Sequence, residues 1–306
     1  MSTRLYILVG PTGSGKTSLG IQLAQHLNAE IISVDSMAIY RQMDIGTAKP
    51  SLEERRLIPH HLIDICDPWE SYSVGSFVED ASRLIQEIKS RGHKILLVGG
   101  TALYIKNLLD GIFESPPVDW DLRNQLREES LSQLYQKLQE IDPETASKVA
   151  MNDTRRVIRA MEVYLKTGQT ISQWRKEHTG VTGDYSPLFI GLHWDRPLLY
   201  QRIEKRVDNM LQNGLLDETR DLMALPHPLS HTASQAIGYK ESIAALQEPG
   251  LMEELAPTIK QNTRRFAKRQ LTWLKRFPVN WIPVSFSTEE KTIFAEARKL
   301  ISEKDG

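Results

Sequence analysis

The chain has 306 residues, 40% hydrophobic and 25% charged, with a formal net charge of −1. That length allows about two domains, or one domain carrying an insertion, and a core that needs no disulfide staple. The near-zero charge excludes indiscriminate nucleic-acid binding but leaves room for a local basic face. The single Cys66 excludes an internal disulfide, and no apolar run approaches the ~20 residues that span a bilayer. Cys66 reads as a small buried apolar residue in a reducing compartment. No signal peptide is visible before the first strand, so the expected location is the cytoplasm.

In chain order, the first expected strand is Leu5-Tyr6-Ile7-Leu8-Val9, which enters Gly10-Pro11-Thr12-Gly13-Ser14-Gly15-Lys16-Thr17. Two glycines with four residues between them, followed by Lys and Thr, fit the phosphate-loop pattern between a strand and the amphipathic helix Ser18–Leu27. The glycines let backbone N–H groups turn inward on phosphate oxygens, and the helix adds its positive end. Lys16 supplies a point charge, and the Thr17 hydroxyl is placed to ligate Mg²⁺. The loop therefore predicts a grip on a diphosphate or triphosphate.

Asn28 is expected near the helix cap, and Glu30-Ile31-Ile32-Ser33-Val34-Asp35 reads as a buried strand ending on a carboxylate. Ligands of open α/β sheets sit at the carboxyl ends of strands, which puts Asp35 beside the phosphate loop. Ser36–Tyr40 continues as a turn or short helix, followed by the polar loop Asp44–Pro50. Ser76 is expected to cap a helix Phe77–Ser90 that Gly92 closes. Lys94–Gly100 is the clearest interior strand, and it ends in glycines. Many phosphate-loop NTPases carry a Mg²⁺-binding Asp there, so NTP-hydrolysing machinery is not visible.

From Ser115-Pro116-Pro117 the composition turns to charged helical patterns, and residues 118–186 read as a helical insertion. Within it, Asp142-Pro143-Glu144 starts one helix. Asn152 or Asp153 caps another that runs to Lys166, and Thr170 opens a shorter one holding Trp174. Leu188–Trp194 looks like a return to the sheet. Helices are expected over Arg196–Gln212, Leu216–Leu225, Thr232–Leu246 and Met252–Arg276. The fold class is α/β: a parallel sheet of the P-loop NTPase type flanked by helices, with residues 1–117 and 187–306 forming the core and a helical insertion domain between them.

Asp35 is open to three roles: Mg²⁺ ligand, general base or helix cap. Arg202 and Arg206, at i and i+4, form either a solvated face with local ion pairs or a grip on a departing diphosphate. Arg264–Phe277 holds six basic residues, no acid and interleaved aromatics, a stripe able to follow a polyanion backbone. A second basic cluster, Arg155-Arg156-Val157-Ile158-Arg159, lies in the insertion, and together the two suggest a clamp around a nucleic acid. His60 and His61 have no partner at metal-ligand spacing.

Together these stretches resemble one family, the tRNA dimethylallyltransferases (tRNA isopentenyltransferases) of bacterial type. The resemblance rests on the phosphate loop, Ser33-Val34-Asp35-Ser36 with Tyr40, and Met43-Asp44-Ile45-Gly46-Thr47-Ala48-Lys49-Pro50. It continues through Val98-Gly99-Gly100-Thr101, Arg155-Arg156 with Arg159-Ala160 and Glu162, and Arg202-Ile203 with Arg206-Val207. Gly238-Tyr239-Lys240-Glu241 and Thr263–Gln270 complete it, over almost the whole chain.

The resemblance implies transfer of a dimethylallyl group from dimethylallyl diphosphate to the exocyclic amino nitrogen of an adenosine. That adenosine lies immediately 3′ of the anticodon in tRNAs reading codons that begin with U. It implies that Gly10 to Thr17 bind the diphosphate with Mg²⁺ at Thr17, that Lys16 and Arg206 contact it, and that Asp35 is the general base placed with help from Thr101. The implied tRNA contacts are Asp35, Ser36, Met37, Ala38, Thr101, Arg123, Arg155, Arg156, Val157, Ile158, Arg159, Gln235, Gly238 and Lys240. The acid-free stripe adds Arg264, Arg265, Lys268 and Arg269. The expected partners are therefore tRNA and dimethylallyl diphosphate, on a monomer with no membrane. An adenylate isopentenyltransferase, a phosphate-loop kinase and an RNA-binding protein with a relic loop are the competing readings. The helical insertion and the basic stripe speak against the first, transfer from radiolabelled ATP would expose the second, and the intact Lys16-Thr17 and Asp35 speak against the third.

Overall fold

The computed structural model describes residues 2–111, 116, 118–177 and 185–305. The first part of the chain forms β1 (Thr3–Val9), α1 (Lys16–Leu27), β2 (Ala29–Val34), α2 (Leu52–Leu57), β3 (His60–His61), α3 (Val74–Ser90), β4 (Lys94–Gly99) and α4 (Ala102–Asp110). A helical stretch follows with α5 (Trp120–Glu128), α6 (Leu131–Ile141), α7 (Pro143–Ala146), α8 (Thr154–Thr167) and α9 (Ile171–Glu177). The chain then makes β5 (Tyr185–Trp194), α10 (Arg196–Gln212), α11 (Leu215–Met223), α12 (His231–Ser234), α13 (Tyr239–Gln247), α14 (Leu255–Leu274), β6 (Asn280–Val284) and α15 (Glu290–Asp305).

The six strands form one parallel sheet in the order β3-β2-β4-β1-β5-β6. Largely apolar runs explain the arrangement: Leu5 to Val9 and every residue of β2, the polar Glu30 and Ser33 among them, are buried, as strands covered by helices on both faces must be. Register then builds the site. Val9 lies opposite Gly99, and Gly99 opposite Val34, so three strand ends come level. The segments that leave them, Gly10–Thr17, Asp35 and Gly100-Thr101, share one carboxyl edge. A Cβ on Gly99 would stand 2.1 Å from the Val34 carbonyl oxygen, so the β2–β4 approach admits only glycine there.

Two compact units divide the chain: residues 1–109 with 183–306, and residues 110–182. The second has its own core, with Leu126, Leu134 and Leu138 packed against Val157, Ile158 and Met161. In the first, Ile39, Tyr40 and Met43 pack with residues of α10, α11, α13 and α14, which anchors the stretch after Asp35.

Several boundaries differ from the sequence reading. Ser73, rather than Ser76, caps α3, its hydroxyl accepting the Ser76 N–H at 3.0 Å. The stretch Thr232–Leu246 is two helices, broken where Gly238 takes φ +96°. The long C-terminal helix spans Leu255–Leu274. β5 starts at Tyr185, three residues before the expected strand. β6 was not foreseen: it is short and contains Pro283, which an edge strand tolerates because one side of its backbone is unpaired. Asp142 and Asp153 cap α7 and α8 as expected. Ser115 and Pro117, part of the expected insertion entry, lie outside the described residues.

Candidate active site

A cavity of about 710 Å³ opens at the carboxyl edge of the sheet, lined by Thr12 to Thr17, Asp35, Ala38, the loop 47–50, Arg202, Arg206 and Gln270. The phosphate loop turns because Gly13 and Gly15 adopt φ +78° and +95°, a region closed to most side chains. Gly10 and Pro11 lie behind it. A Cβ on Gly10 would meet Ser14 Oγ at 2.6 Å, and the Pro11 carbonyl accepts the Lys16 ammonium at 2.8 Å. The Ser14 hydroxyl is buried with no hydrogen-bond partner among the described residues.

Three cations converge on this edge, and each bonds to a backbone carbonyl. Lys16 Nζ donates to Pro11, Arg202 Nε to Gly13 at 2.8 Å, and Arg206 Nη2 to Thr47 at 3.4 Å. Arg202 also lies over the Trp194 ring at 4.4 Å, while the Trp194 Nε1–H donates to the Ser14 carbonyl at 2.9 Å. Part of Lys16 opens on the cavity, but burial of its ammonium, joined by the charge of Arg206, pushes its pKa down to about 8, with Asp35 pulling the other way. Burial likewise lowers Arg206, again opposed by Asp35. The site therefore holds more positive charge than its own carboxylate balances, the state expected of an anion seat.

Asp35 lines the same cavity. Its Oδ1 accepts the backbone N–H groups of Met37 at 2.8 Å and Ala38 at 3.3 Å, which fixes the carboxylate and leaves Oδ2 for chemistry. Thr101 reaches this centre through the backbone, its N–H donating to the carbonyl of Val34 at 3.2 Å. Among the described residues no group of three or more His, Cys, Asp or Glu is placed to hold a metal. The donors present are hydroxyls at Thr17 and Ser14 in the phosphate-loop stretch. That set fits Mg²⁺, which takes one or two protein oxygens together with substrate phosphates and water.

The remaining sequence candidates fall into separate groups. On α14, Arg265, Lys268 and Arg269 are exposed, whereas Arg264 pairs with Glu204. Gln235 and Lys240 are exposed at α12–α13, and Gly238 is the buried cap between those helices. Ser36 is half-buried beside Asp35, and Met37 packs on the neighbouring core. In the insertion, Arg155 and Arg156 are exposed. Val157 and Ile158 require correction: both are buried in that unit's core, so helix phase turns them away from any ligand. Arg123 and Arg159 both bond to the buried Glu162 carboxylate. Cys66 is buried as expected, its thiol pushed up to about 11 by burial and by Glu70.

Gln270 was missed as a site residue. Its Oε1 accepts the Thr12 N–H at 2.9 Å and its Nε2 donates to the Gly100 carbonyl at 3.2 Å, tying the phosphate loop to the end of β4. A signal was present, since Gln270 occupies the buried face of α14 shared by Ala267 and Leu274. A polar residue at an apolar helix position marks a specific partner. Trp194, apolar in the sequence, carries an equally specific bond.

Comparison with known proteins follows the same outline. The model of a family described as IPP transferase matches residues 38–277. The tRNA dimethylallyltransferase of Carboxydothermus hydrogenoformans is 45% identical over 309 residues, covering 99% of this chain and 98% of that protein. That of Geobacter metallireducens is 45% identical over 278 residues, covering 90% of each. The crystal structure of a tRNA isopentenylpyrophosphate transferase from Staphylococcus epidermidis superposes with a TM-score of 0.72 at 38% identity, covering 99% of this chain and 100% of that one. A eukaryotic dimethylallyltransferase described as acting on tRNA gives a TM-score of 0.82 at 29% identity, covering 99% of this chain and 80% of that one.

Proposed function

This chain belongs to the IPP transferase family, and on that premise we propose that it is a tRNA dimethylallyltransferase acting on the adenosine immediately 3′ of the anticodon in tRNAs reading codons that begin with U. The observation that carries the reading is the set of three cations that, among the described residues, give their hydrogen bonds to carbonyls and line one cavity with Asp35. That arrangement suits a diphosphate that must be held and then released with its charge. The β4 end supports prenyl rather than phosphoryl chemistry, because Gly99 and Gly100 have no room for the acid of an NTPase.

In this reading the adenine is flipped from its stack into the cavity. Its exocyclic nitrogen attacks the allylic carbon, the carbon–oxygen bond breaks, and both electrons of that bond leave with the diphosphate. The proton lost by the nitrogen passes to Oδ2 of Asp35, whose Oδ1 is held by two backbone donors. Lys16, Arg206 and the loop N–H groups stabilise the charge that builds on the leaving oxygen. Thr17 would hold Mg²⁺, which supplies further neutralisation of the diphosphate when bound. Thr101 keeps the Asp35 segment in register through its bond to Val34.

The exposed stripe of α14, with Gln235, Lys240, Arg155 and Arg156, supplies candidate phosphate contacts for tRNA, and residues 118–186 form an insertion domain that contacts it. Among the described residues no helix is long and apolar enough to cross a membrane. We place the protein in the cytoplasm as a monomer.

The test is mass spectrometry of nucleosides from unmodified tRNA incubated with protein, Mg²⁺ and dimethylallyl diphosphate. Dimethylallyl-adenosine that disappears with Asp35→Ala is the expected result. Prenylation of free AMP with none on tRNA would move the chain to the free-nucleotide branch.

A further inference from the structure

The loop from Asp44 to Pro50 forms one wall of the cavity, yet nothing in its own sequence explains why it holds still. Ala48 sits at φ +48°, a conformation costly for a residue with a Cβ, so the surrounding structure must impose it. One end is pinned by Lys49. Its side chain is 2% exposed, and its ammonium donates to the Tyr40 carbonyl and pairs with Asp44 and Asp64. The other end is pinned by residues far away in sequence. The carboxylate of Glu218, on α11, accepts the backbone N–H of Asp44 at 3.0 Å, of Ile45 at 2.9 Å and of Gly46 at 3.4 Å. The Tyr239 hydroxyl, on α13, donates to Glu218 at 2.5 Å and accepts the Gly46 N–H at 3.1 Å.

The fit is close enough to demand glycine. A Cβ on Gly46 would stand 2.4 Å from the Tyr239 ring. Burial and the adjoining Glu218 carboxylate hold the Tyr239 hydroxyl well above the usual phenol range, so it stays a donor. Between the two pins lies Thr47, whose carbonyl accepts Arg206. The pins therefore set where one of the site's half-buried cations points.

We propose that Glu218, braced by Tyr239, is a positioning residue for the transfer reaction: it seats residues 44–46 and through Thr47 aims Arg206 at the diphosphate. The inference rests on the proposed reaction, because Arg206 matters only if a diphosphate leaves from this cavity. One carboxylate taking three consecutive N–H groups is a site-building device, and it sits outside the reacting atoms. An amide in its place offers one acceptor oxygen and turns an NH₂ toward N–H donors, so Glu218→Gln loosens the seat with almost no change in volume. Misaiming a catalytic group from a distance costs up to about 10²-fold in rate.

The experiment compares wild type, Glu218→Gln and Tyr239→Phe by thermal melting, by calorimetric binding of dimethylallyl diphosphate, and by kinetics with each substrate varied. The expected result for Glu218→Gln is a loss of about 10²-fold in kcat/KM for dimethylallyl diphosphate, shared between kcat and KM. Its KM for tRNA stays within about twofold, and diphosphate binding weakens in parallel. Tyr239→Phe shows the same split to a smaller extent, and it decides the matter if Glu218→Gln does not fold. Unchanged parameters in both variants would overturn the proposal. So would a fall in apparent kcat alone with both KM values and diphosphate affinity unmoved, since that reports only fewer folded molecules. Wild-type protein that transfers nothing would instead count against the proposed function.

Discussion

In the insertion unit, Arg123 and Arg159 close on the carboxylate of Glu162, whose side chain is fully buried. Burial raises that carboxyl, but hydrogen bonds from Arg123, the Asp119 N–H and Arg159 outweigh it and hold the group below its ordinary range. At the carboxyl edge of the sheet, Lys16, Arg202 and Arg206 give their hydrogen bonds to carbonyl oxygens, and two of them crowd a single nearby carboxylate. Both regions concentrate basic residues, and in the sequence both read as grips on phosphate. Only one leaves its charge unanswered. The insertion uses its acid to hold α5 to α8, whereas the core tolerates destabilising cations, as the proposed reaction requires of a seat that its diphosphate completes.

The largest expected effect comes from removing one of the unanswered cations. Arg206→Gln should lower kcat by about 10²- to 10³-fold, as loss of a transition-state donor does, while the melting temperature of the ligand-free protein holds or rises. Steady-state kinetics and calorimetric melting check both halves, and a clear drop in stability would mean that Arg206 is internally paired after all.

The matching change in the insertion should behave in the opposite way. Glu162→Gln strands two arginines and should cost that unit about 3 kcal/mol, read from hydrogen exchange of α8 amides, with binding of dimethylallyl diphosphate unaltered. If the unit keeps wild-type protection, the ion pairs there are not structural.

The comparison sharpens further at the exposed stripe of α14. Arg265→Ala with Lys268→Ala and Arg269→Ala should reduce the slope of log affinity for tRNA against log salt by about one for each phosphate that the stripe no longer neutralises. Filter binding across a salt series measures it, and an unchanged slope would remove α14 from the RNA-facing surface.

These two regions also mark how far the sequence could be read. The phosphate loop is spelled in eight consecutive residues, and Asp35 follows from a strand that ends on an acid, so the centre of the site was legible. The parallel sheet was legible as well, because its buried strands are largely apolar runs. Val157 and Ile158 entered with a resemblance that carries over the whole stretch Arg155–Arg159, and helix phase turns both into the core. The roles of Arg123 and Arg159 depend on Glu162, 39 residues from Arg123. Glu218 reaches the Asp44–Gly46 backbone across more than 170 residues. Such pairings are set by packing, which one sequence does not display. The cap of α3 was placed on Ser76, whereas the hydroxyl that caps it belongs to Ser73, three residues earlier. The strand β6 was hidden by its brevity and by Pro283.

The most direct test of the unanswered charge is the proton balance of ligand binding. Lys16 has a pKa of about 8 in the ligand-free protein, below its unfolded value of about 10.4. Through this group, stability rises as pH climbs from about 8 to about 10.4, because over that window only the unfolded chain keeps the proton. An anion seated against Lys16 restores the ammonium, so binding takes up a proton and affinity falls as pH rises above about 8. Calorimetric titration of dimethylallyl diphosphate at pH 8, in buffers of different ionisation enthalpy, should show net proton uptake that vanishes in Lys16→Met and persists in Arg123→Gln. Uptake that survives in Lys16→Met, or an affinity for dimethylallyl diphosphate that Lys16→Met leaves unchanged, would contradict the assignment of this edge as the diphosphate seat.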